Sequence, residues 1–215
     1  MQAIFEDRAD AGRALVEPLR HYRERSRAVV LGLPRGGVPV AFELAQGLGL
    51  PLDVFVVRKL GYPGHEEYAM GAIASGGVRV LNPDLASQVA KDPGMLAEAT
   101  ERELSELRRR ERRYRGNRPA LNLADRVVIL VDDGLATGSS MRAAIQAVRQ
   151  HSPERVVVAV PVASPETCRM LAREVDEIIC ATTPARFSSV GRWYRDFEQT
   201  SDAEVEALLA RAWRR

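Results

Sequence analysis

The stretch VVILVDDGLATGSSM, residues 127–141, decides how this chain is read. Five apolar residues, mostly β-branched, run directly into Asp132 and Asp133. A turn of small residues follows, from Gly134 through Leu135, Ala136, Thr137 and Gly138 to Ser139 and Ser140. A helix then begins, with Met141, Ala144, Ile145 and Val148 at one-face spacing. An unbroken apolar strand of this kind is buried on both faces, as in a parallel sheet. Ligands of such sheets sit outside the carboxyl ends of the strands. The N–H groups of the turn and of the helix start attract an anion, and Thr137, Ser139 and Ser140 add hydroxyl donors. The two aspartates repel a phosphate and suit hydroxyl groups, or a metal held beside it. A phosphate next to vicinal hydroxyls describes a ribose 5′-phosphate. The order of residues is not that of a Walker loop, because no Gly-Lys-Ser/Thr follows. Nor is it a dinucleotide fingerprint, whose acid lies some way beyond its glycines.

Outward from this stretch the same alternation repeats. Strands are expected at 28–33, 126–133, 155–162 and 176–181, and helices at 38–48, 139–150, 164–174 and 201–213. A helix is expected over 7–23, and the segment DVFVVRK (53–59) reads as one strand. Residues 60–68, with two glycines and a proline, read as an exposed, mobile loop. Segments 69–74 and 78–82, joined by Ser75-Gly76-Gly77, read as a hairpin. A long polar helix is expected from Asp92, as its cap, to about Arg115, acidic first and arginine-rich last as the helix dipole favours. Its apolar stripe is thin, so it lies on the surface or against a partner subunit, which leaves a homodimer open. The fold class is α/β, a parallel sheet with helices on both faces, and residues 1–215 form a single domain.

Composition narrows the classes. The 215 residues carry 31 Lys+Arg against 29 Asp+Glu, a formal net charge of +2. That balance argues against general nucleic-acid coating. The run Arg108 to Arg115 is interleaved with acids and reads as a solvated helix end. No stretch is long and apolar enough to span a membrane and the start lacks a signal-peptide core, so a cytoplasmic protein is expected. Two cysteines, Cys168 and Cys180, are expected as unpaired thiols. The three histidines are scattered without zinc spacing.

The segment 127–141 resembles the phosphoribosyl pyrophosphate signature of the type I phosphoribosyltransferases. LGLPRGGVPVA (31–41) resembles that family's pyrophosphate-binding loop, and Arg58-Lys59 falls where its members place basic residues near the same diphosphate. The resemblance covers residues 28 to about 200, with a core of about 24–181, an inserted helix of about 93–115 and a hood of about 182–200. It implies transfer of a phosphoribosyl group from phosphoribosyl pyrophosphate to a small nitrogenous acceptor, with release of pyrophosphate and with Mg²⁺ as cofactor. Asp132 and Asp133 would then hold the ribose hydroxyls, with Mg²⁺ bound indirectly through substrate or water. Gly134 to Ser140 would bind the 5-phosphate, and Arg35, Gly36, Gly37, Arg58 and Lys59 the diphosphate. The loop 60–77 would be the family's catalytic lid. Phe187, Trp193 and Tyr194 of the hood would stack on the acceptor, whereas Phe197 is expected only to pin the segment. A non-proline cis peptide is expected within Pro34-Arg35-Gly36.

One residue departs from the pattern of the 6-oxopurine enzymes, which commonly carry an acid just before the Thr-Gly. Here that residue is Ala136, so neither hypoxanthine nor guanine is the expected acceptor. Two other readings stay open: a regulator that senses phosphoribosyl pyrophosphate or a nucleotide while gripping RNA or DNA, and a phosphohydrolase on the same fold. Both acids together with a leaving-group loop favour the transferase.

Overall fold

The structure, a computed structural model, describes residues 3–62, 65–81 and 93–214. Its centre is a parallel sheet of five strands in the order β2-β1-β6-β7-β8. These are β1 (Ala28–Gly32), β2 (Leu52–Val54), β6 (Val127–Val131), β7 (Arg155–Val162) and β8 (Glu177–Thr182). The helices are α1 (Arg8–Ala14), α2 (Gly37–Leu48), α3 (Pro93–Arg115), α4 (Ser139–Arg149), α5 (Pro165–Leu171) and α6 (Asp202–Ala212). A second, antiparallel sheet holds β3 (Val57–Tyr62), β4 (His65–Ala74) and β5 (Val78–Leu81).

The apolar run of β6 is buried along its whole length because its side chains feed two cores. Val127, Ile129 and Val131 face a layer containing Leu15, Phe42, Leu44 and Leu209. Val128 and Leu130 face the opposite layer, with Met141, Ile145, Val158 and Leu171. β1 and β6 pair in register from Ala28↔Val127 to Gly32↔Val131, so both strands end at the same level. From there the chain leaves β1 toward β2 on one side and β6 toward β7 on the other. The crevice between two diverging connections is where open α/β sheets bind ligands.

Four expectations are corrected. The helix expected over 7–23 ends at Ala14, gives way to turns and resumes as a 3₁₀ turn at Arg20–Tyr22. Pro18 is the reason, since it has no N–H to donate to the carbonyl one turn back and so cannot continue the helix. Segment 53–59 is not one strand: β2 ends at Val54 and β3 begins at Val57, in the other sheet. The crossing is pinned by Ser75, whose hydroxyl accepts from Val56 N–H at 3.0 Å and whose N–H donates to Val56 O at 2.8 Å. Residues 60–62 and 65–68 are not a loop but the end of β3 and the start of β4, paired with register shifts at Gly61 and Tyr62. Cys168 and Cys180 are not free thiols, because α5 packs on the adjacent β8 and a disulfide joins them, Cα–Cα 6.7 Å. The hairpin of β4 and β5 is as expected, and α6 is capped by Ser201, whose side chain accepts from Glu204 N–H. The cap at Asp92 falls outside the described residues.

α3 is anchored rather than loosely solvated. Leu96, Leu107 and Tyr114 are buried, and Tyr114 donates to Asp202 of α6 at 2.6 Å. At its end Arg115 reaches under the sheet edge. Its Nε lies 3.0 and 3.1 Å from the two Asp53 oxygens, and Nη2 donates to Val54 O at 2.6 Å. Both side chains are nearly enclosed, at 7% and 4% exposure. Removing one partner would leave the other charge buried and unpaired. Arg115→Met is therefore expected to lower unfolding free energy in urea by about 3 kcal/mol, and the double change with Asp53→Leu by clearly less.

Candidate active site

Two turns meet at the carboxyl end of the β1–β6 pair. Leu33 N–H donates to Val131 O at 2.9 Å, carrying the ladder one residue past β1. A Cβ on Gly37 would lie 2.6 Å from Val131 O and 2.9 Å from Asp132 Cα, and one on Gly36 would run into the Asp133 carboxylate. Glycine is required at both positions because the two turns touch there. The Pro34–Arg35 peptide between them is cis.

The turn 132–138 is held from behind. Asp133 N–H donates to Asp132 Oδ1 at 2.9 Å. Leu135 is buried, its N–H donating to Val162 O at 2.9 Å and its carbonyl accepting from Ser164 N–H at 3.0 Å. The Thr167 hydroxyl donates to Ala136 O at 2.6 Å. Gly138, at φ 71°, turns the chain into α4. Thr137 and Ser139 are exposed, with hydroxyls 3.2 Å apart, and Ser140 is exposed beside them. The back of the turn is thus fixed by β7 and the start of α5, while its hydroxyls stay open to a ligand.

Burial, with the neighbouring Asp133 charge, pushes the Asp132 carboxyl well above the usual carboxylate range. Burial also raises Asp133, against the opposing effect of Arg8, whose Nε lies 2.9 Å from Asp133 Oδ2. Tyr194 donates its hydroxyl to Asp133 O at 2.6 Å, and burial pushes its own pKa upward. Among the described residues Asp132 Oδ2 and Asp133 Oδ1 have no donor, so each acid keeps one oxygen for a ligand. Again among the described residues, no group of three or more metal-ligating side chains gathers in one place.

The other candidate residues are placed unequally. Arg58 and Lys59 line a cavity of about 400 Å³ together with Ser140, which brings the basic end of β3 beside the hydroxyl turn. Arg58 is engaged by Glu103 of α3 at 2.8 Å. Arg35 points toward Asp202, 3.9 Å away. Trp193 and Tyr194 are each 5% exposed, packed with Phe5, Ala11 and Val162. Their rings sit in the protein's own core, a correction to the stacking surface expected of them. Phe187 is only partly buried against that cluster. Phe197 packs on Tyr194 with centroids 4.9 Å apart, in keeping with a pinning role. Arg8 was not singled out by the sequence: it is one arginine among many, and nothing near it shows that it meets a residue 125 positions away.

The switch point of the parallel sheet carries an acid pair, a hydroxyl-rich turn and a paired-glycine turn. The model of the phosphoribosyl transferase domain matches residues 3–194, and the chain belongs to that family. Proteins from two strains of Mycobacterium tuberculosis, provisionally named as phosphoribosyl transferases, are each 48% identical over 211 residues, 98% of this chain and 47% of their own length. The chain thus spans about half the length of these curated relatives. The crystal structure of TT1426 from Thermus thermophilus is 48% identical, with a TM-score of 0.85, covering 96% of this chain and 98% of that one.

The raised Asp132 pKa has a stability consequence whose sign is fixed. Above its folded pKa the buried carboxylate destabilises the fold, and below the unfolded value near 3.8 the carboxyl is neutral in both states. Asp132→Asn, measured without divalent cations, should therefore be more stable than the parent at pH 8. That difference should shrink toward zero as the pH falls to about 4. Chemical denaturation across this range checks it, and a constant or inverted difference would contradict it.

Proposed function

We propose that this domain transfers a phosphoribosyl group from phosphoribosyl pyrophosphate to a nitrogenous acceptor, releasing pyrophosphate. The observation that carries the reading is the contact of the Gly36-Gly37 turn with the acid pair, which sets a leaving-group loop against a ribose site. The N–H groups of 136–140 and the hydroxyls of Thr137, Ser139 and Ser140 take the 5-phosphate at the start of α4; Leu135, read as part of that set from the sequence, is instead buried with its N–H given to Val162 O. Asp132 Oδ2 and Asp133 Oδ1 accept from the two ribose hydroxyls. As the C1–O bond breaks ahead of attack, positive charge builds on the ring and the two carboxylates favour it. Arg35, the N–H group of Gly36, Arg58 and Lys59 take the departing diphosphate, with Arg58 exchanging its Glu103 partner for it, while Gly37, whose N–H is given to Leu33 O at 3.0 Å, serves by leaving room for the turn. In this reading the β3–β4–β5 sheet acts as the counterpart of the family's lid and would keep water from the ring.

The acid pair fits Mg²⁺: two carboxylates in partly buried surroundings, each with an oxygen lacking a donor among the described residues, are what this ion takes when substrate and water complete its shell. Asp132 and Asp133 would hold it through a ribose hydroxyl or water. When bound, it would neutralise charge on the leaving diphosphate.

The arginines of α3 weigh against a regulator that grips nucleic acid. Arg109 and Arg110 pair with Glu106, Arg113 with Asp202 and Glu206, and Arg115 with Asp53, so much of the basic run is neutralised within the chain.

The acceptor is a planar base that needs no carboxylate from the turn, since Ala136 offers none, and Phe187 is the aromatic left to stack on it. The test is a screen of nucleobases with phosphoribosyl pyrophosphate and Mg²⁺, reading pyrophosphate. Release that depends on an acceptor is expected, with guanine and hypoxanthine poor. Asp133→Asn should lower it by about 10²–10³-fold. Rapid guanine or hypoxanthine conversion would overturn the Ala136 argument, and no release with any base would overturn the transferase reading.

A further inference from the structure

Asp133 is held by a residue that arrives from the far end of the chain. Arg8 of α1 donates through Nε to Asp133 Oδ2 at 2.9 Å and through Nη1 to Glu198 O at 2.7 Å. Its guanidinium lies over the Phe197 ring, 4.0 Å from the centroid. A Cβ on Gly36 would come within 3.2 Å of the same Nε, so the glycine turn closes a further side. The side chain is 12% exposed, little for an arginine. A planar fork fixed by two hydrogen bonds and a ring face holds its partner in one orientation. It takes one Asp133 oxygen and leaves Oδ1, which has no donor among the described residues.

We propose, on the strength of the transferase reading, that Arg8 is a positioning residue: it sets the Asp133 carboxylate before the substrate arrives and ties it to segment 197–198. Arg8 acts through Asp133 and does not touch the reacting atoms. Groups that orient a ligating or catalytic carboxylate from behind are commonly worth about 10–100-fold in affinity or activity. Lysine supplies the charge but neither the fork nor the stacked plane, so it should restore only part of the loss.

The test is a double-mutant cycle on phosphoribosyl pyrophosphate affinity, measured by calorimetry with Mg²⁺, using Arg8→Gln, Arg8→Lys, Asp133→Asn and Arg8→Gln/Asp133→Asn. Thermal midpoints are read alongside. Arg8→Gln should weaken binding by about 10–100-fold and Arg8→Lys by less, while the double variant should bind no worse than Asp133→Asn alone. A residue that merely stabilises the fold would give losses that multiply. Parent-like binding by Arg8→Gln, or multiplying losses, would overturn the proposal. Should Arg8→Gln fail to fold, the cycle is closed with Arg8→Lys under the same criteria. If the parent binds no phosphoribosyl pyrophosphate, the transferase reading falls, and hydrogen exchange decides the role of Arg8 by itself. Faster exchange at residues 133 and 196–200 in the Arg8 variant would uphold the clamp, and unchanged exchange would overturn it.

Discussion

The register between β1 and β6 is the constraint from which the rest of the site follows. Because Gly32 stands opposite Val131, the turns that leave the two strands begin at one height and are forced together. The contact is so close that Gly36 and Gly37 have no room for a side chain. Shift either strand by one residue and its side chains would swap cores, so the burial that makes the sheet also fixes where the turns meet. An anion site and an acid pair would ordinarily repel a common ligand. Here they are separated by only a few residues of one turn, which in the proposed reading lets them hold different ends of one sugar phosphate.

What the sequence made legible was local. The β6 strand, its acids and the hydroxyl turn could be read directly, because an apolar run ending in Asp132-Asp133 has few other uses in a parallel sheet. The sheet and the helices on it followed from repetition of the same period. What could not be read was where the chain changes partner. Val54 and Val57 belong to different sheets although no turn residue separates them, and the hydroxyl of Ser75, far along the chain, fixes the switch. The aromatic run was misjudged for a related reason. Trp193 and Tyr194 are as suited to a core as to a stacking surface, and only the packing of Phe5 against them decides which.

Charge is organised in the same long-range way. α3 looks in sequence like an overly basic helix, yet Arg113 and Arg115 are answered by Asp202 and Glu206 of α6 and by Asp53 of β2, two other parts of the chain. Asp202 serves two partners in α3 and also stands near Arg35. A helix inserted far from the acid pair in sequence is thereby linked, through one carboxylate, to the loop assigned to the leaving group. Tertiary pairing, rather than solvation, sets the electrostatic character of the helix.

The opening residues of the chain are clasped to a segment nearly 190 positions later: Ile4 and Phe5 donate to Trp193 O, and Arg195 and Asp196 donate back to Phe5 O and Glu6 O. Contacts of that separation close late, because the loop between them must already be ordered. During synthesis the central sheet can assemble as its strands emerge, whereas the clasp must wait until residues 193–196 have left the ribosome. The Arg8 anchor on Asp133 lies just past this clasp. A chain interrupted before that point could hold a folded central sheet and still lack a finished site, so completion of the acid pair depends on synthesis reaching residue 198.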